Sequence, residues 1–154
     1  MICAAGIYAA DRVSKMSIVS SLSVGESIPV IPGFFHLTFI YNTGASFGML
    51  QDKGVFFIII NSLILIGICW AVFFRKEMTT AGRILLGVVA GGALGNMTDR
   101  LCYGAVVDFL DFRGIWPYIF NIADMAVICG GFLFALLIIL TDRKPGKEKA
   151  KPKH

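Results

Sequence analysis

Two aspartates offer the chemistry in this chain. Asp108 stands in Gly104-Ala105-Val106-Val107-Asp108-Phe109, and Asp124 in Phe120-Asn121-Ile122-Ala123-Asp124. Each carboxylate lies at the edge of a long apolar segment, where burying a charge is costly and acids are usually functional. Sixteen residues separate them, across a connection between two apolar segments. A helix end and a returning helix start can bring both carboxylates within a few ångströms. Two acids that close cannot both ionise, so one keeps its proton near neutral pH and the pair titrates as a unit. The ionised member takes a proton from water and the protonated member donates to a carbonyl, which is the chemistry of aspartic peptide hydrolysis. It calls for no metal, no cofactor and no covalent intermediate. The alternative is two solvated loop acids. Asp111, three residues beyond Asp108, is the decoy, expected to face water or pair with Arg113.

Other polar residues cluster in the same way. Asn42-Thr43-Gly44-Ala45-Ser46-Phe47-Gly48 contains a G-x-S-x-G spacing. A serine nucleophile there needs a strand–turn–helix within an α/β sheet and a histidine base. His36 is the one internal histidine and no such sheet is expected, so the motif reads instead as a glycine-permitted turn that brings Asn42 and backbone groups toward a substrate. An ordinary loop is the competing reading. Gly87, Gly91 and Gly95 repeat at the spacing that lets helices approach closely. Asn96, Asp99 and Arg100 follow that stripe; Arg100 either pairs with Asp99 or meets a phosphate or substrate carbonyl. Asp11 and Lys15, at i and i+4, share a helical face and can pair. Cys3, Cys69 and Cys129 fall in apolar runs and no pair has CxxC spacing, so the four cysteines read as small buried hydrophobes and no zinc site or disulfide framework is expected.

These residues must be held by membrane elements. The chain has 154 residues, is 56% hydrophobic and 16% charged, with a mean hydropathy of +0.77. A soluble domain carries about 25% charged residues. The expected fold is therefore all-α and integral to the membrane, a single domain over 1–154. Four transmembrane helices are expected at about 1–22, 54–74, 82–100 and 121–141, each near the ~20 residues needed to cross the hydrocarbon. A small extracytoplasmic β-element is expected between the first two, from Ser27-Ile28-Pro29-Val30-Ile31 and the β-rich stretch 34–41. A cleaved signal peptide competes for the first segment, but charges follow at once and no small-x-small site is evident. Trp116 and Tyr118 suit an interfacial belt.

Charge orients the spans. The turn after the second carries Arg75, Lys76 and Arg83 against Glu77, and the tail 142–154 carries six basic and two acidic residues. Between the third and fourth lie Asp99, Asp108, Asp111 and Asp124 against Arg100 and Arg113. Cytoplasmic loops favour Lys and Arg, so both termini are expected in the cytoplasm and both acids at the outer face. The net charge of +4 concentrates in the tail without interleaved aromatics, which is no nucleic-acid signal.

Together these motifs resemble one family, the bacterial lipoprotein signal peptidases, also called signal peptidase II. The matching pieces are Asp11 and Lys15, the stretch 42–48, the stretch 91–100, Val106-Val107-Asp108-Phe109 and Phe120-Asn121-Ile122-Ala123-Asp124. They occur in family order over nearly the whole chain. The resemblance implies an aspartyl endopeptidase of the bacterial inner membrane that acts on diacylglyceryl-modified prolipoproteins and cuts before the lipidated cysteine. It implies Asp108 and Asp124 as the catalytic pair, Asn42, Gly44, Asn96, Arg100 and Asn121 as substrate-binding residues, and Asp11, Lys15, Gly92, Asp99 and Ala123 as supports. It also implies contact with membrane lipid and inhibition by globomycin-type cyclic peptides. A monomer without nucleic-acid partners is expected. Three positions depart from the family pattern: Arg12 where Gln is usual, Ser46 where Ala is frequent, and Met125 where Ser is common. The N-terminus is short for the family, so a start upstream or a tilted first span is expected. The rival readings are a small four-helix transporter, which predicts an acid near the bilayer midplane, and a non-catalytic assembly factor, which leaves the polar residues unused.

Overall fold

The computed structural model describes residues 2–44 and 54–142. The chain runs α1 (Ile2–Ser21), β1 (Ser27–Ile31), β2 (Phe35–Asn42), α2 (Gly54–Phe74), α3 (Thr80–Tyr103), β3 (Val106–Phe112), β4 (Ile119–Phe120) and α4 (Ile122–Asp142). Among the described residues, four helices lie along the four segments where spans were expected. By length and composition, α2 and α4 are apolar enough to cross a membrane. The basic tail beyond residue 142, and Ala45 to Gly48 of the Asn42 motif with Ser46, lie outside the described residues.

Helix α3 is the centre of the bundle and packs against α1, α2 and α4. Its glycines make this possible. A methyl group at Gly91 would lie 2.5 Å from the Ala4 carbonyl oxygen of α1, and one at Gly92 would lie 2.5 Å from the Ala123 carbonyl oxygen of α4. Both crossings therefore need the bare backbone, as small-residue interfaces do. Thr79 caps the start of α3, its hydroxyl accepting from the Gly82 N–H at 3.1 Å. Gly104, at φ +69°, takes the left-handed turn that ends α3 and sends the chain into β3.

The β-element is larger than the sequence suggests. It is one antiparallel sheet in the order β1-β2-β3-β4, and half of its strands come from the connection between α3 and α4 rather than from that between α1 and α2. Consequently Asp108 sits on a strand, paired with Ile40 of β2, and not at a helix end. The sheet is fastened to α1 by an apolar cluster of Ile18, Leu22, Phe39, Val107 and Phe109. Successive strand residues point to opposite faces. With Val107 and Phe109 turned into that cluster, Asp108 between them is turned the other way, toward α4. The cysteine expectation also changes: Cys69, Cys102 and Cys129 are exposed and Cys3 is half-buried, all with free thiols. Apolar helix faces are exposed alongside them, including Ile59, Leu63, Phe73, Ile128 and Phe132. Such surfaces suit lipid rather than water.

Candidate active site

Asp124 lies in the first turn of α4, and the residue that starts that helix fixes it. Asn121 Oδ1 accepts from the Asp124 N–H at 2.9 Å, while Asp124 Oδ2 accepts from the Asn121 N–H at 3.3 Å. This is a reciprocal capping box, with Asn and Asp in place of Ser and Glu. Asn121 then reaches across to the sheet. Its Nδ2 lies 2.6 Å from Asp108 Oδ1, 3.2 Å from Asn96 Oδ1 and 3.3 Å from the Val107 carbonyl oxygen. One fully buried side chain therefore touches both acids. Asn42 donates to the other Asp108 oxygen at 2.8 Å, and Asn96 donates to Asp124 Oδ1 at 2.7 Å.

Burial, followed by the charge of Asp124, raises the Asp108 carboxyl from 3.8 to about 7, against the opposing hydrogen bonds of Asn42 and Asn121. A carboxyl poised there can hold or release a proton near neutrality.

Behind the acids is a buried ionic cluster. Lys15 Nζ lies 2.9 Å from Asp11 and 2.8 Å from Asp99, and donates to Asn96 Oδ1 at 2.9 Å. Arg12 also pairs with Asp99, so two acids meet two bases. Each acid in the cluster holds a backbone N–H one residue before a site acid. Asp11 Oδ1 accepts from Ala123 N at 3.0 Å, and Asp99 Oδ2 accepts from Val107 N at 3.1 Å. The expected Asp11–Lys15 pair is present. Asp99 does not pair with Arg100; it turns to α1 instead, because the buried ammonium and guanidinium there need counter-charges.

Arg100 is left facing the site. Its guanidinium lies over the Phe57 ring, 4.9 Å from the centroid, with only long contacts of 3.5 Å to the carbonyl oxygens of Asn96 and Gly44. Gly44 itself is placed by its N–H, which donates to Asn42 Oδ1 at 3.0 Å. Arg100, Asn96 and Asp124 border a cavity of about 180 Å³ with Phe57, Asn61, Ala93, Val127 and Ile128. Asn42, Gly44 and Asn121 are not among its walls. Asn121 is wholly buried, its side chain bonded to Asp108, Asn96 and the Asp124 N–H.

Asp111 pairs with Arg113 at 3.0 Å and accepts from Thr38 at 2.7 Å. Desolvation works to raise its carboxyl, but the Thr38 and Arg113 hydrogen bonds outweigh it and hold the group below the ordinary carboxylate value. It belongs to the sheet surface and not to the pair.

Three participants have roles at the site that the sequence reading did not assign to them. Asn61 is a polar residue in the apolar run of α2, and that isolation was the available signal. Arg12 was read only as a departure from a pattern. Gly95 was read only as part of the packing stripe; a methyl there would collide with the Asp11 carboxylate.

Comparison with known proteins gives a consistent picture. Residues 3–140 match the family model described as signal peptidase (SPase) II. The protein named lipoprotein signal peptidase of Desulfitobacterium hafniense (strain DSM 10664 / DCB-2) is 47% identical over 141 residues, covering 92% of this chain and 93% of that one. The same-named protein of Pelotomaculum thermopropionicum is 45% identical over 144 residues, covering 92% and 91%. A bacterial membrane enzyme solved in meso at 2.3 Å superposes with a TM-score of 0.87 at 32% identity, over 97% of this chain and 93% of that one. A second, at 1.9 Å, gives 0.76 at 35% identity, over 94% and 92%.

Proposed function

Because the chain belongs to the signal peptidase II family, we propose that Asp108 and Asp124 make it an aspartyl endopeptidase acting at the membrane surface. It removes signal peptides from prolipoproteins. The bond cut precedes the cysteine that carries a diacylglyceryl group. The observation that carries the catalytic assignment is Asn121, which donates to Asp108 and shares a reciprocal cap with Asp124.

The pair holds one proton in the working range. The ionised carboxylate takes a proton from water as the water oxygen attacks the scissile carbonyl carbon. The protonated carboxyl gives its proton to the carbonyl oxygen, and a tetrahedral diol forms. Proton transfer to the amide nitrogen then accompanies C–N cleavage. Arg100 and Asn96, beside Asp124 on the cavity wall, supply donors to the substrate peptide. Asn42 and Asn121 orient the acids, and Asp11, Lys15, Asp99, Gly92 and Ala123 hold them in place.

All four helices cross the bilayer in this reading. The 20 residues of α1 and the 24 of α3 span about 30 and 36 Å at 1.5 Å per residue, enough for the hydrocarbon core. Asp11 and Lys15 of α1 and Asp99 of α3 are turned inward and paired, so they present no bare charge to lipid. The positive turn 75–83 supports a topology with the termini in the cytoplasm and the acids at the outer face of the inner membrane. The protein works as a single-domain monomer in contact with lipid and binds globomycin-type peptides at the acids. The transporter reading has no support from the family match or from the position of the acids at helix and strand ends.

The test is cleavage of a diacylglyceryl-modified prolipoprotein peptide by purified wild type, Asp108→Asn and Asp124→Asn. Each variant should lose at least about 10³-fold in kcat while remaining folded. Full activity in either removes that residue from the mechanism.

A further inference from the structure

The end of the bundle away from the acids carries two adjoining cavities. One, of about 760 Å³, lies at the α2–α3 turn beside the end of α4, and its walls include Arg75, Lys76, Glu77, Thr79, Phe134 and Thr141. The other is a groove of about 360 Å³ between α2 and α4, with Ile64, Gly67, Trp70 and Ile138 along its sides and Leu86 of α3 as its floor. Arg75, Met78, Phe134 and Ile138 border both, so a charged mouth leads into an apolar slot.

The mouth is basic and its bases are available. Arg75 and Lys76 stand against Glu77 alone, and the first turn of α3 carries no acid. Neither base forms an ion pair among the described residues. The Arg75 guanidinium lies over the Trp70 ring, 5.9 Å from its centroid, at the lip of the groove. Arg83, by contrast, is committed to the end of α2, donating to the Val72 carbonyl oxygen at 2.6 Å and to that of Arg75 at 3.2 Å.

We propose that this mouth and groove bind one anionic phospholipid, its phosphate between Arg75 and Lys76 and one acyl chain in the groove toward Ile64. The proposal rests on the membrane-spanning reading above, in which the turn after α2 faces the cytoplasm, where anionic lipids concentrate. Depth agrees with this occupant. From Phe74 to Ile64, ten residues of α2 rise about 15 Å, which is half of the ~30 Å hydrocarbon core and so the reach of one leaflet. A free phosphate has no use for the groove, and a neutral lipid has none for the mouth. A second copy of this chain would have to bring an acid to Arg75 and Lys76 as well as an apolar ridge to the groove. An acyl chain leaves one apolar medium for another on entering, so the headgroup supplies the preference and the groove supplies the position. With Glu77 opposing two bases, the net single positive charge favours an anionic headgroup by about fivefold.

Trp70 forms part of the groove wall and reports what occupies it. The test uses the full-length protein carrying Trp116→Phe, which leaves Trp70 as its one tryptophan. The protein is reconstituted in phosphatidylcholine vesicles that contain a minor fraction of dibromostearoyl phosphatidylglycerol or of dibromostearoyl phosphatidylcholine. The anionic lipid should quench Trp70 with an apparent binding constant about fivefold the greater. Gly67→Leu keeps both bases and meets open space at its Cβ, so it should fill the groove and abolish the preference without harming the fold. Arg75→Gln with Lys76→Gln should abolish it too. Gly131→Leu, the same change on α4 outside the groove and also into open space, should retain it. Equal quenching by the two lipids, or a preference that survives Gly67→Leu, would overturn the proposal. Displacement of the brominated anionic lipid by inorganic phosphate would reveal a phosphate site without a chain and overturn it as well. Quenching that falls as the protein is crowded at fixed lipid composition would put a second copy in the groove, with the same consequence. Absence of quenching by either lipid would overturn the spanning of α2 itself, and this proposal with it.

Discussion

Replacing Lys15 with Met tests whether the buried ionic cluster acts through charge. The side chain is fully buried, and its ammonium is the sole partner of Asp11 Oδ2 among the described residues. With Lys15 and Arg12 against Asp11 and Asp99, the cluster is neutral. Lys15→Met leaves it one negative charge in excess, with Asp99 still held by Arg12 and Asp11 stranded. Removing one member of a buried pair costs about 3–5 kcal/mol. At roughly 2–4 °C per kcal/mol for a chain of this size, the midpoint should fall by about 6–20 °C. Adding Asp11→Asn restores neutrality, because Asn can still accept from the Ala123 N–H. The double variant should therefore recover about 2 kcal/mol or more relative to Lys15→Met alone. Activity should remain depressed about 10²-fold in both, since Asn96 has lost the ammonium that orients it toward Asp124. The assay is thermal unfolding in detergent alongside peptide cleavage. A double variant no more stable than the single one would show that Lys15 acts by packing, and the charge argument would fail.

Stability should depend on pH through Asp108. Its carboxyl titrates at about 7 in the folded chain against an ordinary 3.8, so folding favours the protonated form. That contribution is fully present below about pH 4 and is lost as pH rises through about 7, up to about 4 kcal/mol over the window. Asp108→Asn should accordingly improve relative to wild type between pH 4 and 8, and a flat difference in unfolding free energy would contradict it; wild-type activity should decline above about pH 7. Gly92→Ala puts a methyl 2.5 Å from the Ala123 carbonyl oxygen and 3.0 Å from Val127. It should cost about 1–3 kcal/mol and reduce kcat, whereas Gly131→Ala, with open space around it, should do neither. Asp111→Asn should keep cleavage within about twofold of wild type, and a large loss there would move the sheet surface into the mechanism.

The helices were legible because their signal is local. The boundaries of α2 follow from an uncharged, mostly apolar run, and Asp11 with Lys15 follows from spacing on one face. Strand β3 was not legible, because its partner β2 lies some 70 residues earlier and a loop rich in Val and Phe resembles a membrane-edge connection. The same distance hid the fate of Asp99. Beside Arg100 in sequence, it is bound to Arg12 and Lys15 in space. The Asn121–Asp124 cap is readable in the Asn-x-x-Asp spacing before an apolar run. Which polar groups cluster was visible; which of them face a cavity and which brace the interior depended on the sheet.

The bracing through Ala123 and Val107 also bears on how the protein comes into being. Chains are made from the N-terminus, so α1 and α3 exist before α4 has emerged. Until it arrives, Asp11 lacks the Ala123 N–H and Asn96 lacks the Asp124 carboxylate. The same contact that seats the last helix also completes the pair of acids. If the two acids act as proposed, a chain that has not yet seated α4 carries only one of them and cannot hydrolyse a peptide bond.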